Sequence, residues 1–226
     1  MPTFDINLKS DIDPTFRVQK IMADFDVQAE HACEHFKGSI DLPKDWKIGL
    51  IVGNSGTGKT TIAKTLWPEA LITSGFQYKA KSVIDDMPQV SVDDISRTFY
   101  AVGFGSVPSW LKPYHALSNG EKMRVDLARA LIERNFIVFD EFTSVVDRTI
   151  AKTMCKATHK AIHRMDGKQF VAVTCHHDVV EYLAPDWIFN TDTMTFSFMI
   201  AHSQNKISTF ENAGLASGQN LGVITI

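Results

Sequence analysis

The chain has 226 residues, a net charge of −3 and 44% hydrophobic residues, which allows one sizeable core and gives no overall basic surface for nucleic acid. Three widely spaced cysteines, Cys33, Cys155 and Cys175, predict free thiols in a reducing compartment rather than a disulfide framework. The sequence shows neither the apolar segment of a signal peptide nor an apolar run of the ~20 residues that a membrane-spanning helix needs. We therefore expect a cytoplasmic protein with no membrane segment in this chain.

The N-terminal part of the chain, about residues 1–45, predicts a small β subdomain. Residues 14–40 are expected to form short strands and turns. The segment FRVQKIMADFDV (16–27) has the character of a strand, and HACEHFKGSIDLP (31–43) fits either a strand or a short helix.

A phosphate-binding loop is predicted next. The apolar run WKIGLIVG (46–53) indicates a buried strand, and GNSGTGKT (53–60) matches the pattern G-x-x-x-x-G-K-[ST] at every position. The glycines let backbone N–H groups approach phosphate oxygens, Lys59 is placed to reach the β- and γ-phosphates, Thr60 to bind Mg²⁺, and Thr61 to line the site. The predicted ATP-binding residues here are Gly53, Asn54, Ser55, Gly56, Thr57, Gly58, Lys59, Thr60 and Thr61.

A helical region follows. Residues 82–113 are mostly helical in pattern but are broken by glycines and prolines, and GEKMRVDLARALIER (120–134) predicts an amphipathic helix. Its apolar face carries Met123, Leu127, Ala130 and Leu131. The tract LSNGE (117–121) precedes this helix, where the Ser118 hydroxyl and nearby N–H groups would form either an anion site or an ordinary helix cap.

The next strand ends in two carboxylates. The apolar run in IVFDE (137–141) predicts a buried strand of a parallel sheet. Asp140 at its end is placed to hold Mg²⁺, and Glu141 to act on the attacking water, either as general base or by positioning it. A long helix is expected at about 148–165.

Two further tracts surround that helix. SVVD (144–147) precedes it, and TCHHD (174–178) follows another apolar strand, QFVAV (169–173). Strands that alternate with helices in this way predict a parallel α/β core.

In this order and spacing, the five motifs resemble those of the nucleotide-binding domain of ABC-type ATPases. The longer stretches WKIGLIVGNSGTGKTTIAK, DEFTSVVDR and FVAVTCHHDVVEYLAPDWIF look like the soluble ABC-type ATPase that elsewhere occurs fused to a predicted acetyltransferase. We find no acetyl-CoA loop in this chain, so the resemblance implies the ATPase half alone.

The resemblance implies an α/β P-loop NTPase fold of ABC type. Its core would be a mostly parallel sheet flanked by helices, with a small N-terminal β subdomain and a helical subdomain that carries the signature motif LSNGE. The implied organisation is one domain over 1–226, divided at about 1–45 (β subdomain), 46–81 and 135–195 (core), 82–134 (helical subdomain) and 196–226 (tail).

The resemblance also implies roles in a head-to-tail dimer. Ser118, Asn119 and Gly120 would contact the γ-phosphate bound by the partner chain, although the usual LSGGQ here reads LSNGE. Asp147 would contact the partner's site. His176 is expected to be the switch histidine that bonds the γ-phosphate or the attacking water, in preference to His177.

Two other positions are less defined by the motifs. Gln77 is the candidate for the glutamine that contacts Mg²⁺ between the phosphate loop and the signature. An aromatic side chain that stacks on adenine is expected upstream of the loop. Phe16 or Phe25 could serve, but either fits a core position better.

The implied function is ATP hydrolysis with Mg²⁺ by a homodimer that drives conformational change in an unidentified protein or nucleic-acid partner. Two alternatives remain open at this point: a slow ATP-dependent dimerisation switch that recruits a protein or a nucleic acid, and the ATPase subunit of a transporter whose membrane part is on another chain.

A row of basic residues lies outside these motifs. Lys152, Lys156, Lys160, Arg164 and Lys168 recur at a spacing of four along the expected helix, which places them in one stripe on its surface. The stripe fits either a surface for phosphates or an acidic partner, or a plain solvated helix face.

Overall fold

The computed structural model describes residues 3–9, 13, 15–26, 33–40, 42, 44–73 and 75–199. Its strands are β1 (Thr3–Lys9), β2 (Cys33–Ser39), β3 (Ile48–Val52), β4 (Leu71–Ile72), β5 (Phe136–Phe139), β6 (Gln169–Thr174), β7 (Trp187–Asn190) and β8 (Thr195–Phe198). Its helices are α1 (Phe16–Phe25), α2 (Lys59–Leu66), α3 (Val92–Ala101), α4 (Val107–Trp110), α5 (Asn119–Glu133), α6 (Arg148–Arg164) and α7 (Val179–Leu183). Short 3₁₀ segments lie at Val83–Asp86 and Tyr114–Ala116.

The centre of the molecule is a six-stranded sheet in the order β4-β5-β6-β3-β7-β8. All its pairs are parallel except β7 with β8, so the expected mostly parallel sheet is confirmed. Strand β6 lies between β3 and β5. Because the carboxyl ends of parallel strands meet at one edge, the segments after β3, β5, β6 and β7 are brought together there.

Side chains along each strand alternate between the two faces of the sheet, and helices cover both faces. Leu50 and Val52 of β3 join the core cluster that contains Leu127 of α5. Ile51, between them, joins the cluster that contains Ile62 of α2. The strands are therefore continuous apolar runs, as the sequence indicated.

Helices α3, α4 and α5 lie within the predicted helical region over 82–134. Trp110 is 5% exposed and its indole N–H donates to the carbonyl of Phe104 at 2.9 Å. The apolar face expected on α5 is buried at Met123, Leu127, Ala130 and Leu131. The long helix expected at 148–165 is α6, which ends at Arg164.

The N-terminal β subdomain consists of β1 and β2, which pair antiparallel. The strand expected in 16–27, however, is wrong, because Phe16–Phe25 forms helix α1. Its apolar residues Val18, Ile21, Met22 and Phe25 recur at the i, i+3, i+4, i+7 spacing of a helix face.

The boundaries of α1 carry ordinary helix signals that the strand interpretation overlooked. The Thr15 side chain accepts the N–H of Val18, and Asp26 closes the helix in the left-handed conformation. Phe16 is 79% and Phe25 70% exposed, so the expectation that these two rings belong to the core is also wrong. The adenine-stacking residue stays unassigned.

Among the described residues, no helix is both long enough and apolar enough to cross a membrane. The expected tail over 196–226 begins within β8, and everything from residue 200 onward lies outside the described residues.

Candidate functional site

The phosphate loop connects β3 to α2, which is the strand–loop–helix context that the motif requires. Gly56 and Gly58 have φ angles of 86° and 79°, which glycine adopts at little cost. Because Gly58 directly precedes α2, the unpaired N–H groups of the first turn of α2 lie at the loop. This helix start is an anion-binding end.

The loop is held from inside by its own side chains. Lys59 is only 8% exposed. Its ammonium donates to the carbonyl of Asn54 at 2.5 Å. The Thr57 hydroxyl donates to the same carbonyl at 2.9 Å. A short loop folded around a single lysine leaves a concentrated positive charge at the place where phosphates are expected.

The residues that follow β7 hold the loop from outside. The Thr191 hydroxyl lies 2.5 Å from that of Thr57, and the Asp192 carboxylate accepts the N–H of Asn54 at 2.8 Å. A Cβ at Gly53 would lie 2.1 Å from the Thr191 hydroxyl, so glycine is needed there. No local sequence pattern indicates Thr191 and Asp192, because only the strand order of the folded sheet places β7 beside β3.

Asp140 and Thr60 are in direct contact. The Thr60 hydroxyl lies 2.9 Å and 3.2 Å from the two carboxylate oxygens of Asp140, which is 8% exposed. Burial raises the pKa of the Asp140 carboxyl above its usual value, and the hydrogen bond from Thr60 opposes that shift. A bound divalent cation would favour the ionised form. Hydroxyl and carboxylate oxygens are ligands that Mg²⁺ prefers, so this pair fits the expected metal.

Glu141 lies at the border of two cavities. One, of about 220 Å³, is lined by Lys59, Thr60 and other loop residues, and the second, of about 260 Å³, reaches to Asn119 on α5. The φ angle of Glu141 is 51°, in the left-handed region that costs roughly 1–2 kcal/mol for a residue other than glycine. Such strain is often found where a side chain must be held in one position for function.

The two histidines after β6 differ in their contacts. The N–H of His176 donates to the Thr174 hydroxyl at 3.2 Å, and His176 does not line the phosphate-loop cavity. Nε2 of His177 lies 3.6 Å from Asp192, the residue that holds the N–H of Asn54. The preference for His176 stays a prediction, and His177 has a connection to the loop that the sequence did not indicate.

An ion pair connects the tract TCHHD to the start of α6. The Arg148 guanidinium donates to both carboxylate oxygens of Asp178, at 3.0 Å and 2.5 Å, and these bonds lower the pKa of the Asp178 carboxyl. Asp147, one residue earlier, caps α6 by accepting the N–H groups of Thr149 and Ile150. The loop expected to contact a partner chain is therefore joined to the loop that carries the histidines.

The tract LSNGE forms a reciprocal cap at the start of α5. The Ser118 hydroxyl accepts the N–H of Glu121 at 3.3 Å, and the Glu121 carboxylate accepts the N–H and the hydroxyl of Ser118 at 2.9 Å and 2.8 Å. Hydrogen bonds from Ser109 and Ser118 lower the pKa of the Glu121 carboxyl. The expected anion site at this helix end is thus filled by an ionised carboxylate of the same chain.

Gln77 is not brought to the carboxylates. Its side chain is exposed and lines neither cavity. Its carbonyl accepts a bond from Arg129 at 2.9 Å. The proposed contact of Gln77 with Mg²⁺ has no support in the observed geometry.

A buried cluster fixes the segment around Gln77 to α5. The rings of Tyr78 and Tyr114 stack with their centroids 4.0 Å apart, and their hydroxyls donate to Asp126 at 2.7 Å and 2.6 Å. Burial raises the pKa of the Asp126 carboxyl, against the effect of the two tyrosine bonds. Because its members are far apart in sequence, this cluster could not be predicted from local patterns.

The fold is similar to that of two solved structures. One is the dimeric structure of MJ0796, a bacterial ABC transporter cassette, with a TM-score of 0.54 and 16% identity over 70% of this chain and 87% of that chain. The other is the dimeric post-hydrolysis state of MJ0796 bound to ADP and Pi, with a TM-score of 0.53 and the same identity and coverage. No protein-family profile and no curated protein sequence matches this chain. The similarity confirms the predicted α/β P-loop fold of ABC type.

Proposed function

We propose that this chain is an ATPase that binds ATP and Mg²⁺ and hydrolyses ATP at a site completed by a second copy of the chain. The observation that carries this proposal is the contact between Thr60 and the buried Asp140, with Lys59 and Glu141 lining the adjacent cavity. Phosphoryl transfer needs mainly positioning and charge stabilisation, and these four side chains supply both.

Each of the four side chains has a distinct role in the proposal. Lys59 and the first N–H groups of α2 would bind the phosphates, while Thr60 and Asp140 would hold Mg²⁺. When bound, Mg²⁺ neutralises the charge that develops on the phosphate oxygens. Glu141 orients the attacking water and accepts its proton. Either His176 or His177 would bond the γ-phosphate or this water.

The second copy is proposed because the signature is not at its own phosphate loop. Neither Ser118, Asn119 nor Gly120 lines the phosphate-loop cavity. Asn119 lines the second cavity beside Glu141, and both Ser118 and Asn119 are exposed at a helix start. The MJ0796 cassettes with this fold are dimeric. In a head-to-tail dimer, these residues and Asp147 would face the partner's phosphate loop. The dimer would act in the cytoplasm on a partner that is a protein or a nucleic acid.

The first test is Mg²⁺-dependent turnover by the purified chain. We expect ATP hydrolysis that stops when a chelator removes Mg²⁺. Thr60 and Asp140 carry no positive charge, so without the cation they cannot neutralise the negative charge of the phosphates. Hydrolysis measured as phosphate release would show this. Turnover that is unaffected by the chelator would contradict the assigned roles of Thr60 and Asp140.

One observation favours the alternative of a slow dimerisation switch. The ionised Glu121 carboxylate accepts the N–H and the hydroxyl of Ser118. Its negative charge would repel the γ-phosphate of the partner's ATP. Dimers would then be weak and turnover slow. A transporter subunit is a weaker candidate, since it requires a membrane protein on another chain.

Replacing Glu121 with glutamine should strengthen the ATP-dependent dimer. Glutamine also suits a reciprocal helix cap, so α5 keeps its start while the negative charge is lost. At about 1 kcal/mol for a charge pair 4 Å apart in water, and with two sites per dimer, we expect roughly five- to thirtyfold tighter dimerisation. Analytical ultracentrifugation with ATP and Mg²⁺ measures the dissociation constant of the dimer.

The matched control for this experiment is Glu69→Gln, which removes one exposed carboxylate outside the motifs and should leave dimerisation unchanged. An unchanged dimer in Glu121→Gln would mean that this carboxylate does not oppose the partner's phosphate, and the switch alternative would lose its main support.

A further inference from the structure

A groove of about 500 Å³ runs between the end of α3 and the outer face of α6, away from the motifs discussed above. One wall is basic and is formed by the exposed side chains of Lys152, Lys156, Lys160 and Arg164. The opposite wall contains Tyr100 and Ala101, and Ala157, Ala161 and Met165 also line the groove. The groove therefore combines a row of cations with apolar side chains and one aromatic ring.

The cations of this wall are regularly spaced along one helix. Four residues of an α-helix rise about 6 Å, so the row presents a positive charge at each such step. Lys168, expected to continue the row, does not belong to it. It lies beyond the end of α6, and its ammonium donates to the carbonyl of Arg134 at 2.7 Å.

The row is also free of carboxylate partners within the described part of the chain. No described residue lining the groove is acidic, and no ion pair to a described carboxylate involves Lys156, Lys160 or Arg164. Elsewhere on the surface, Arg97 and Arg129 pair with carboxylates on their own helices. The Lys152 ammonium lies over the ring of Tyr182, 4.7 Å from its centroid. In a chain of net charge −3, the other three cations attract a polyanion.

The exposed ring of Tyr100 indicates which class of polyanion the groove binds. It is 57% exposed, and the edge-type contact with Trp110, with ring centroids 5.2 Å apart, fixes its position. Binding sites for single-stranded nucleic acid combine a positively charged groove with aromatic rings on which bases stack. An acidic peptide would use the cations but has no need of an exposed ring beside them.

We propose that the groove between α3 and α6 binds single-stranded nucleic acid, with its phosphates along Lys152, Lys156, Lys160 and Arg164 and a base stacked on Tyr100. We expect little sequence preference, because the cations would contact phosphates and every base has a face that can stack on Tyr100. Helix α6 starts at Arg148, which is paired with Asp178 beside the histidines. The pair joins α6 to the loop of the histidines, and an effect of nucleic acid on hydrolysis is the one consequence that would rest on the proposed function.

The test is fluorescence anisotropy of a labelled, mixed-sequence single-stranded DNA of about 20 nucleotides, longer than the roughly 4–16 that one single-strand-binding domain covers. The full chain should bind it at about 50 mM salt, and the affinity should fall steeply as salt rises. The double variant Lys156→Glu/Lys160→Glu should bind at least about tenfold more weakly. Its salt slope should be lower by roughly 0.7 for each phosphate that the variant no longer neutralises.

The matched control is Arg17→Glu/Lys44→Glu, which changes the net charge equally at exposed positions on other elements and should bind within about twofold of the parent. Tyr100→Leu should weaken binding by roughly fivefold or more at an unchanged salt slope, because the variant has no ring for stacking while the cations remain. Thermal melting of each variant verifies that it is folded.

Four results would each overturn the proposal: no binding at low salt, equally weakened binding by the control variant, unchanged binding by Tyr100→Leu, or competition by poly-glutamate as strong as that by unlabelled oligonucleotide. The last would indicate an acidic protein as the occupant. Since none of these measurements requires ATP, failure here leaves the proposed ATPase function untouched.

Discussion

Replacing Glu141 with glutamine should lower ATP hydrolysis by about 10²–10⁴-fold, the usual contribution of a positioned general base. ATP binding should persist, because Lys59, Thr60 and Asp140 keep their contacts. The glutamine keeps the size of the side chain at the edge of both cavities but cannot accept the proton of the attacking water. With ATP and Mg²⁺, the variant should therefore accumulate as a dimer, which light scattering detects as a doubling of mass.

The control for this variant is Glu181→Gln, an exposed carboxylate on α7, which should turn over ATP like the parent. Two outcomes would count against the assignment. Normal hydrolysis by Glu141→Gln would show that another group activates the water. Loss of hydrolysis without any dimer would mean that the site closes within one chain or needs a different partner.

A second pair of variants separates ATP binding from completion of the site. Lys59→Ala removes the buried cation of the loop, and charged hydrogen bonds of this type contribute about 1.5–3 kcal/mol each. We expect ATP binding to weaken by at least roughly tenfold and hydrolysis to be lost, as measured by calorimetry and phosphate release. Lys64→Ala, on the exposed side of the same helix, should leave both unchanged.

Asn119→Glu is expected to change the signature, which would complete the site of the partner chain. Residue 119 is exposed in the first turn of α5, where a carboxylate favours the helix, so the fold is preserved. The new charge would repel the phosphate offered by a partner chain. ATP binding should stay near that of the parent, while dimerisation and hydrolysis are lost. Weak ATP binding in Asn119→Glu would instead place residue 119 at its own chain's nucleotide.

Local sequence patterns predicted the strands and helices that are marked by the spacing of their own apolar residues. The run of apolar residues ending at Gly53 identified β3, and the spacing from Met123 to Leu131 identified the buried face of α5, because strands and helices repeat with fixed periods. The strand predicted for 16–27 was wrong because the apolar residues from Val18 to Phe25 follow the spacing of a helix face. That segment carries an ordinary helix cap at Thr15.

The parts of the site that depend on long-range contacts could not be predicted. The contact of Thr191 with Thr57 and the stacking of Tyr78 on Tyr114 join segments that no periodic pattern relates. Likewise, the motif LSNGE identified Ser118 but could not show that the carboxylate of Glu121 fills its anion site. The order of strands in the sheet decides such contacts, and this order is a property of the whole fold.

Hydrolysis of each ATP between two chains can be tested by mixing Lys59→Ala with Asn119→Glu. Each variant alone should be inactive. In a mixed dimer, the intact phosphate loop of the Asn119→Glu chain would face the intact signature of the Lys59→Ala chain, which rebuilds one complete site. We predict that phosphate release appears on mixing and that neither variant shows it alone. If both variants bind each other but the mixture remains inactive, the site is not shared between chains and the account is contradicted.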